Sequence, residues 1–261
     1  MDPVNKTLYI PLYGRAWVSR RGLLIKDPSA EAIWDTEGFP LGRKASSKWL
    51  SFNMGMRCAV FDRWLREAAA QQSDAVILHI GCGLDSRCLR TEMPDRLWFD
   101  VDFPQVIDER RKYFRETDTY RMLPGDIRSP VWLESVPKGG NAIVVMEGVS
   151  MYLQRQELAG FFRDLAGHFR QIRLAMDVYT VFGAKATKYK NPINEVGVTQ
   201  VWGIDDPREL DQEGGLRFLR NWDLTPEDLI GQLPKENRAF FRRFFAGSLA
   251  KKIYRMHEFR K

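Results

Sequence analysis

Residues 76–87 read Val-Ile-Leu-His-Ile-Gly-Cys-Gly-Leu-Asp-Ser-Arg. An apolar run stops at Gly81-Cys82-Gly83, and a helix is expected from residue 84. A buried parallel strand passes into a helix in this way. The glycines permit backbone angles closed to other residues and let a ligand approach the main chain. Residues 98–104, Trp-Phe-Asp-Val-Asp-Phe-Pro, supply a second strand that ends in carboxylates. A carboxylate at such a strand end can accept two ribose hydroxyls. Together the two segments predict a nucleoside-binding α/β domain.

The turn also helps choose the nucleoside. Dinucleotide sites favour Gly-x-Gly-x-x-Gly, and the third glycine is here Ser86. No Gly-Lys-Ser/Thr phosphate loop is present. An adenosine without phosphates, as in S-adenosylmethionine, suits a short turn followed by an acid. The plain alternative is a tight turn that binds nothing.

The chain has 261 residues, enough for one large domain. Hydrophobic residues make up 44% and charged residues 28%, the balance of a globular protein. No apolar run approaches the roughly 20 residues of a membrane helix. The start, Met-Asp-Pro-Val-Asn-Lys, lacks a signal-peptide apolar core. A cytoplasmic location and no membrane partner are therefore expected. Three cysteines, Cys58, Cys82 and Cys88, do not make a disulfide scaffold, and His79, His168 and His257 are scattered. No metal site is expected.

Net charge is +6, and residues 235–261 hold nine Lys/Arg against two Glu. That tail interleaves Phe240, Phe241, Phe244, Phe245 and Tyr254 with its cations. A nucleic-acid surface would look like this. The aromatic spacing instead favours a final helix and strand whose aromatics are core, so no nucleic acid is expected.

Residues 1–72 read as helical, with Asp27-Pro28 as a capped start and a long helix over about 47–71. Strands are expected at 75–80, 96–101, 120–124, 141–146 and 171–177, with helices at about 104–116 and 154–169. Ser129-Pro130 opens a short helix. Alternating strands and helices imply a parallel sheet with right-handed crossovers. The expected organisation is one domain: a cover at 1–72, a nucleoside-binding core at 73–178, a lid or substrate insertion at 179–215, and C-terminal strands and helix at 216–261, one strand antiparallel. Asp206-Pro207 and Thr225-Pro226 read as capped helix starts.

Ligands of an open parallel sheet bind beyond the carboxyl ends of its strands. Four such ends carry Gly81-Cys82-Gly83, Asp102, Asp126-Ile127 and Glu147. Asp102, rather than Asp100, suits the ribose diol. Asp126 and the Ile127 N–H suit the adenine edge, and the glycine turn suits the methionine moiety. Glu147 places a carboxylate near a sulfonium, and Arg57 is the candidate cation for the donor's carboxylate. Each has a structural alternative: Asp126 as a turn cap, Glu147 as an arginine partner, Arg57 as a solvated helix residue.

Four segments carry a resemblance: Ile80-Gly-Cys-Gly-Leu-Asp-Ser-Arg87, Phe99-Asp-Val-Asp-Phe-Pro104, Met146-Glu-Gly-Val-Ser-Met-Tyr-Leu153 and Val201-Trp-Gly-Ile-Asp-Asp206. Together they resemble the leucine carboxyl methyltransferase family, in the bacterial branch similar to the tetracenomycin polyketide O-methyltransferase. Gly14-Arg-Ala16, Lys26-Asp-Pro28 and Arg57 with Phe61-Asp62 fit as well, so the resemblance spans roughly 13–258. It implies a class I methyltransferase (Rossmann-like) fold: a seven-stranded, mostly parallel sheet with helices on both faces and an N-terminal helical cover. It also implies S-adenosylmethionine as methyl donor and an oxygen acceptor, carboxylate or phenol/enol, on a small molecule or peptide.

By the same resemblance, Arg57, Gly81, Cys82, Gly83, Asp102, Asp126, Ile127 and Glu147 bind the donor. Tyr152 faces the reaction centre, and Arg15 or Arg21 reaches the acceptor from the cover. The chain departs from the family pattern at Ser86 (usually Thr), Met146 (usually small) and Ser150 (usually Leu), the last expected in the acceptor pocket. No histidine stands at the predicted rim, and His79 is expected in the core. An acceptor that is already anionic, drawn by Arg15, Lys185 or Lys188, needs no base; a phenol, with reference pKa near 10, does. The competing readings are a nicotinamide-dinucleotide oxidoreductase and a nucleic-acid methyltransferase using the basic tail. The sequence sets no oligomeric state.

Overall fold

Strand β1, Val76–Ile80, is buried along its whole length, as a strand covered on both faces must be. Its side chains alternate between two cores. Ile77 packs with the N-terminal helices, while Val76, Leu78 and Ile80 pack on the opposite side. Strand β4, Asn141–Met146, divides in the same way: Ile143 and Val145 face one core, Ala142, Val144 and Met146 the other. This period of two, in strands apolar on both faces, is why they sit at the centre of the sheet. The structure, a computed structural model, describes residues 6–187, 193, 194, 197, 198 and 200–261.

The other strands are β2 (Trp98–Asp102), β3 (Tyr120–Pro124), β5 (Gln171–Tyr179), β6 (Arg217–Trp222) and β7 (Tyr254–Arg260). The seven strands run in the order β3-β2-β1-β4-β5-β7-β6. Strands β1 to β5 pair in parallel, and β7 lies antiparallel between β5 and β6. The expected mostly parallel sheet is therefore present. Its order reverses between β1 and β4, where the crevice of such a sheet opens.

The cover consists of α1 (Tyr9–Ser19), α2 (Pro28–Glu37) and α3 (Lys48–Gln71). Asp27 caps α2 by accepting the Ala30 N–H at 2.9 Å, and Pro28 fills its first turn. Ser47 caps α3. Phe52, Met56, Val60 and Trp64 of α3 are buried. On the far face the helix Arg155–His168 buries Leu158, Phe161, Phe162 and Leu165.

Several sequence expectations shift. The helix after the glycine turn is a single turn, Arg87–Arg90, rather than a segment from residue 84. Residues 82–85 are spent on a tight turn closed by the Asp85 N–H on Cys82 O at 2.9 Å. The helix expected over 104–116 ends at Arg110, whose side chain turns into the protein. In the basic tail only part of the aromatic set is core. Phe241 is buried, whereas Phe240 and Phe244 are 43% and 54% exposed; Phe240 packs against both Phe244 and Trp49. The helix near Thr225 begins at Glu227, and Asp223 rather than Thr225 accepts the turn's N–H. Of the polar stretch 179–204, the described part contains the helix Val181–Ala186, with Lys185 exposed on it. Lys188, Lys190 and Asn191-Pro192 lie outside the described residues. Among the described residues no helix is long and apolar enough to cross a membrane.

Candidate active site

A cleft of about 500 Å³ opens at the carboxyl edge of β1, β2 and β4, beneath α1 and α3. The size suits a small organic ligand. Its lining includes Gly81, Cys82, Gly83 and Asp102, then Arg57, Glu147 and Gly148, and Met54, Met151, Tyr152, Tyr179 and Tyr254.

The glycine turn is obligatory in this fold. Gly81 has φ +63°, and a Cβ there would lie 2.1 Å from Val149 Cγ2. Gly83 has φ +50°. Both conformations are in the left-handed region that only glycine enters without cost. Beside the turn, Asp102 accepts the Gly83 N–H at 2.8 Å and the Phe103 N–H at 2.7 Å. Burial pushes its carboxyl up to about 6, against the pull of those two N–H groups. Asp100 is the wrong acid for a ligand. It is fully buried and already accepts from Trp98 Nε1 at 2.7 Å and Tyr120 Oη at 2.6 Å, and it pairs with Arg110.

Beneath the cleft lies a buried charge network. Glu147 accepts Arg57 Nε at 2.8 Å and also pairs with Arg87. Arg87 reaches Asp62 at 2.8 Å and Asp85 at 3.3 Å. Arg90 reaches Asp62, Asp27 and Asp85 at 2.7, 2.9 and 2.9 Å. Arg15 donates to Leu84 O at 3.0 Å and stands 3.3 Å from Asp27. Burial alone would raise these acids. The Arg57 and Arg87 guanidiniums hold Glu147 below the usual carboxylate range, and Arg15, Arg90 and Arg87 hold Asp85 well below it. Cys58, Asp85 and Glu147 bring ligand atoms within 4.8 Å of one another, but Arg87 and Arg90 already neutralise that cluster. Among the described residues the charged side chains that line the cleft are Arg15, Arg57, Asp85, Asp102 and Glu147. Arg15, Arg57, Asp85 and Glu147 are committed to ion pairs, which leaves Asp102 as the lining carboxylate outside one.

Asp177, near the end of β5, extends this network. It accepts the Gly148 N–H at 2.7 Å and the Tyr254 hydroxyl at 2.6 Å, and Arg57 Nη1 stands 3.4 Å away. Arg57 Nη1 also donates to Tyr254 Oη at 3.2 Å. Burial raises the Asp177 carboxyl. Tyr152, on a short 3₁₀ turn after β4, hydrogen-bonds Thr7, and burial pushes its hydroxyl up to about 12.

Arg57, Gly81, Cys82, Gly83, Asp102, Glu147, Tyr152 and Arg15 thus meet in one cleft, as their sequence positions led us to expect. Four of the expected residues, Arg21, Ser150, Asp126 and Ile127, do not line the cleft. Arg21 is exposed at the end of α1 with its guanidinium 3.8 Å over the Trp17 ring, outside the cleft. Ser150 is buried and donates to the Asp177 carbonyl, so it shapes the strand ends rather than the acceptor wall.

Arg15 lines the cleft, but its charge is committed to Asp27 and Asp85. Asp126 and Ile127 follow β3, next to Asp102 through the Gly125 N–H on Asp102 O at 2.9 Å. They do not line the cleft: Asp126 holds Arg128 at 2.5 Å and Ile127 packs in the core. The turn-cap alternative for Asp126 is realised through the Arg128 N–H at 3.0 Å. His79 is buried, 3.2 Å from both Asp100 and Arg87. Ser86 donates to Asp27 at 2.5 Å, so a hydroxyl is what its position requires. Sequence reasoning missed Asp85, Asp177 and Tyr254. Asp85 lies within residues 76–87; Tyr254 sits among core-type aromatics in the sequence, and its partner lies 77 residues away.

Residues 10–166 match the leucine carboxyl methyltransferase family. The chain is 32% identical over 230 residues to the tetracenomycin polyketide synthesis O-methyltransferase of Streptomyces glaucescens, covering 87% of this chain and 85% of that protein. It is 33% identical over 238 residues to an S-adenosyl-L-methionine-dependent methyltransferase of Gibberella zeae, covering 82% and 80%. In structure it is similar to a Thermobifida fusca protein assigned as a methyltransferase, with a TM-score of 0.59 at 15% identity over 95% of this chain and 94% of that one. The magnesium protoporphyrin IX methyltransferase of Synechocystis with bound S-adenosylhomocysteine gives a TM-score of 0.52 at 13% identity, covering 85% and 89%. The last two likenesses concern the fold alone.

Proposed function

The chain belongs to the leucine carboxyl methyltransferase family and is an S-adenosylmethionine-dependent methyltransferase, and from that premise we propose that it methylates a carboxylate or phenol/enol oxygen of a small, largely apolar acceptor. The observation that carries this reading is the composition of the cleft. Among the described residues its polar lining includes Arg57, Asp102 and Glu147 beside the glycine turn, with Asp102 in no ion pair, and its apolar and aromatic lining includes Met54, Met151, Tyr152, Tyr179 and Ile253. The donor carries a carboxylate, which suits Arg57, and an ammonium and a sulfonium, which suit the Glu147 and Asp102 carboxylates. The apolar lining suits a ring system better than a charged peptide. The name of the Streptomyces relative, a polyketide O-methyltransferase, agrees with it.

The residues divide the work. Arg57, whose Nε and Nη1 are engaged, offers its remaining edge to the donor's carboxylate. Glu147 receives the donor's ammonium, Asp102 the ribose hydroxyls, and the Gly81–Gly83 turn gives the donor a surface without side chains. Asp126 and Ile127 stand next to Asp102 but outside the cleft lining, so they meet the adenine edge only where the Asp126–Arg128 pair opens. When bound, the donor supplies an electrophilic methyl on an excellent leaving group. The protein's main contribution is then positioning, which can reach effective molarities of about 10⁵ M or more. A basic-tail nucleic-acid surface is not needed: Phe241 and Phe245 are taken up by packing, and Arg242 and Lys251 by Glu227 and Asp223.

The test uses donor labelled in its methyl group and a panel of aromatic phenols, enols and carboxylic acids. Labelled products that survive alkali are ethers; those that release labelled methanol are esters. Donor binding by calorimetry with no label transferred to any acceptor oxygen would remove this reading.

A further inference from the structure

We infer that Tyr254 and Asp177 form a proton relay in which Tyr254 takes the proton of a neutral phenol or enol acceptor and Asp177 receives the proton that Tyr254 gives up. The inference rests on the proposed oxygen methylation and adds the base that a phenol needs. His79 borders the cleft, but both of its ring nitrogens are engaged, Nδ1 by Asp100 and Nε2 by Arg87, so it does not serve as that base.

The geometry is specific. Tyr254 lines the cleft. Its oxygen donates to Asp177 Oδ2 at 2.6 Å and accepts from Arg57 Nη1 at 3.2 Å. A phenolic oxygen has two lone pairs, so one remains to accept an acceptor's O–H. The groups facing the dyad are Arg57 from α3, Glu147 from the end of β4, Tyr179 on β5 and Tyr152 on the turn after β4. Arg57 stabilises the carboxylate before transfer, while burial of Asp177 favours its protonation afterwards. Tyr152, by contrast, bonds to Thr7.

The step balances. The acceptor oxygen forms a bond to the methyl carbon as the carbon–sulfur bond breaks, and that electron pair stays on the now neutral sulfur. The acceptor's proton passes to Tyr254 Oη as the Tyr254 proton passes to Asp177; because Asp177 is fully buried, the proton returns through Tyr254 to solvent in the cleft once the product leaves. A carboxylate acceptor enters ionised and bypasses the relay.

The experiment compares wild type with Tyr254→Phe on a phenol and a carboxylic acid built on the same ring, at saturating donor, from pH 5.5 to 9. Loss of a general base lowers the phenol's kcat about 10²–10⁴-fold. Carboxylate turnover falls by a much smaller factor than phenol turnover, and the phenol deficit shrinks above the phenol's own pKa. An equal loss on both acceptors, or the same loss at every pH, overturns the relay. Wild-type methylation of carboxylates alone also overturns it while leaving the O-methyltransferase reading intact; methylation of neither class overturns both. A second readout needs no variant and no turnover. A chromogenic nitrophenol, titrated on wild type with S-adenosylhomocysteine, should show its phenolate band at lower pH when bound than when free, and an unshifted midpoint rejects the relay.

Discussion

Asp102 shows how a single residue sets the terms of ligand binding. It spends two acceptor sites on the Gly83 and Phe103 N–H groups and keeps the rest for a ligand. Asp102→Ala should weaken S-adenosylmethionine by about 1.5–3 kcal/mol in calorimetry, the value of hydrogen bonds to a charged group. The same residue predicts a pH dependence. Ribose hydroxyls donate to the carboxylate, so only the ionised form binds well. With the carboxyl pushed up to about 6, donor affinity should fall as pH drops below 6 and level off above it. An affinity flat from pH 5 to 8 would assign the ribose to another group. Gly81→Ala is the steric counterpart: its Cβ would meet Val149 at 2.1 Å in a left-handed backbone. Donor binding should be lost, or the fold destabilised, as read by calorimetry and thermal melting.

At the scale of elements, β7 is instructive because it faces two ways. Tyr254 reaches the cleft, whereas His257 is fully buried, with Nδ1 2.6 Å from Asn221 on β6. Burial lowers the His257 pKa from 6.5 to about 4. Between those values the unfolded chain binds the proton and the folded one does not, so stability falls as pH falls from 6.5 toward 4. His257→Phe removes that contribution. Its urea-unfolding free energy relative to wild type should improve by about 2–3 kcal/mol on going from pH 7.5 to 4.5. An unchanged difference would mean that the histidine is already charged in the fold.

Across the whole molecule, the buried charges join the cover to the sheet. Arg15 on α1 and Asp27 at the start of α2 meet Asp85 and Arg90 beyond β1; Arg57 and Asp62 on α3 meet Arg87 and Glu147. Arg87→Met leaves Asp62, Asp85 and Glu147 short of a partner at full burial. Removing one member of such a network costs about 3–5 kcal/mol. Thermal unfolding should show that loss, and donor binding should weaken with it because Glu147 loses its anchor. Saturating donor should restore part of the stability, about 2.7 kcal/mol at a hundredfold excess over its Kd.

Residues 76–102 made the sheet, its glycine turn and the ribose acid legible, because strand burial, positive φ and a strand-end carboxylate are local demands with few alternative residues. The cover helices were legible too, through Asp27-Pro28 and the apolar spacing of α3. Other features are set by side-chain direction and distant contacts. Arg15 lies within α1 and Arg21 just past its end, yet one faces the cleft and the other solvent. Ser150 turns to a neighbouring strand, and Tyr254, an aromatic among core aromatics, meets Asp177 only because β7 inserts antiparallel beside β5. The sheet and the place of a nucleoside can be read along the chain, since both follow from backbone periodicity and strain. Which charges face the ligand and which neutralise one another emerges with the folded arrangement, because pairing depends on contacts between residues far apart in the chain.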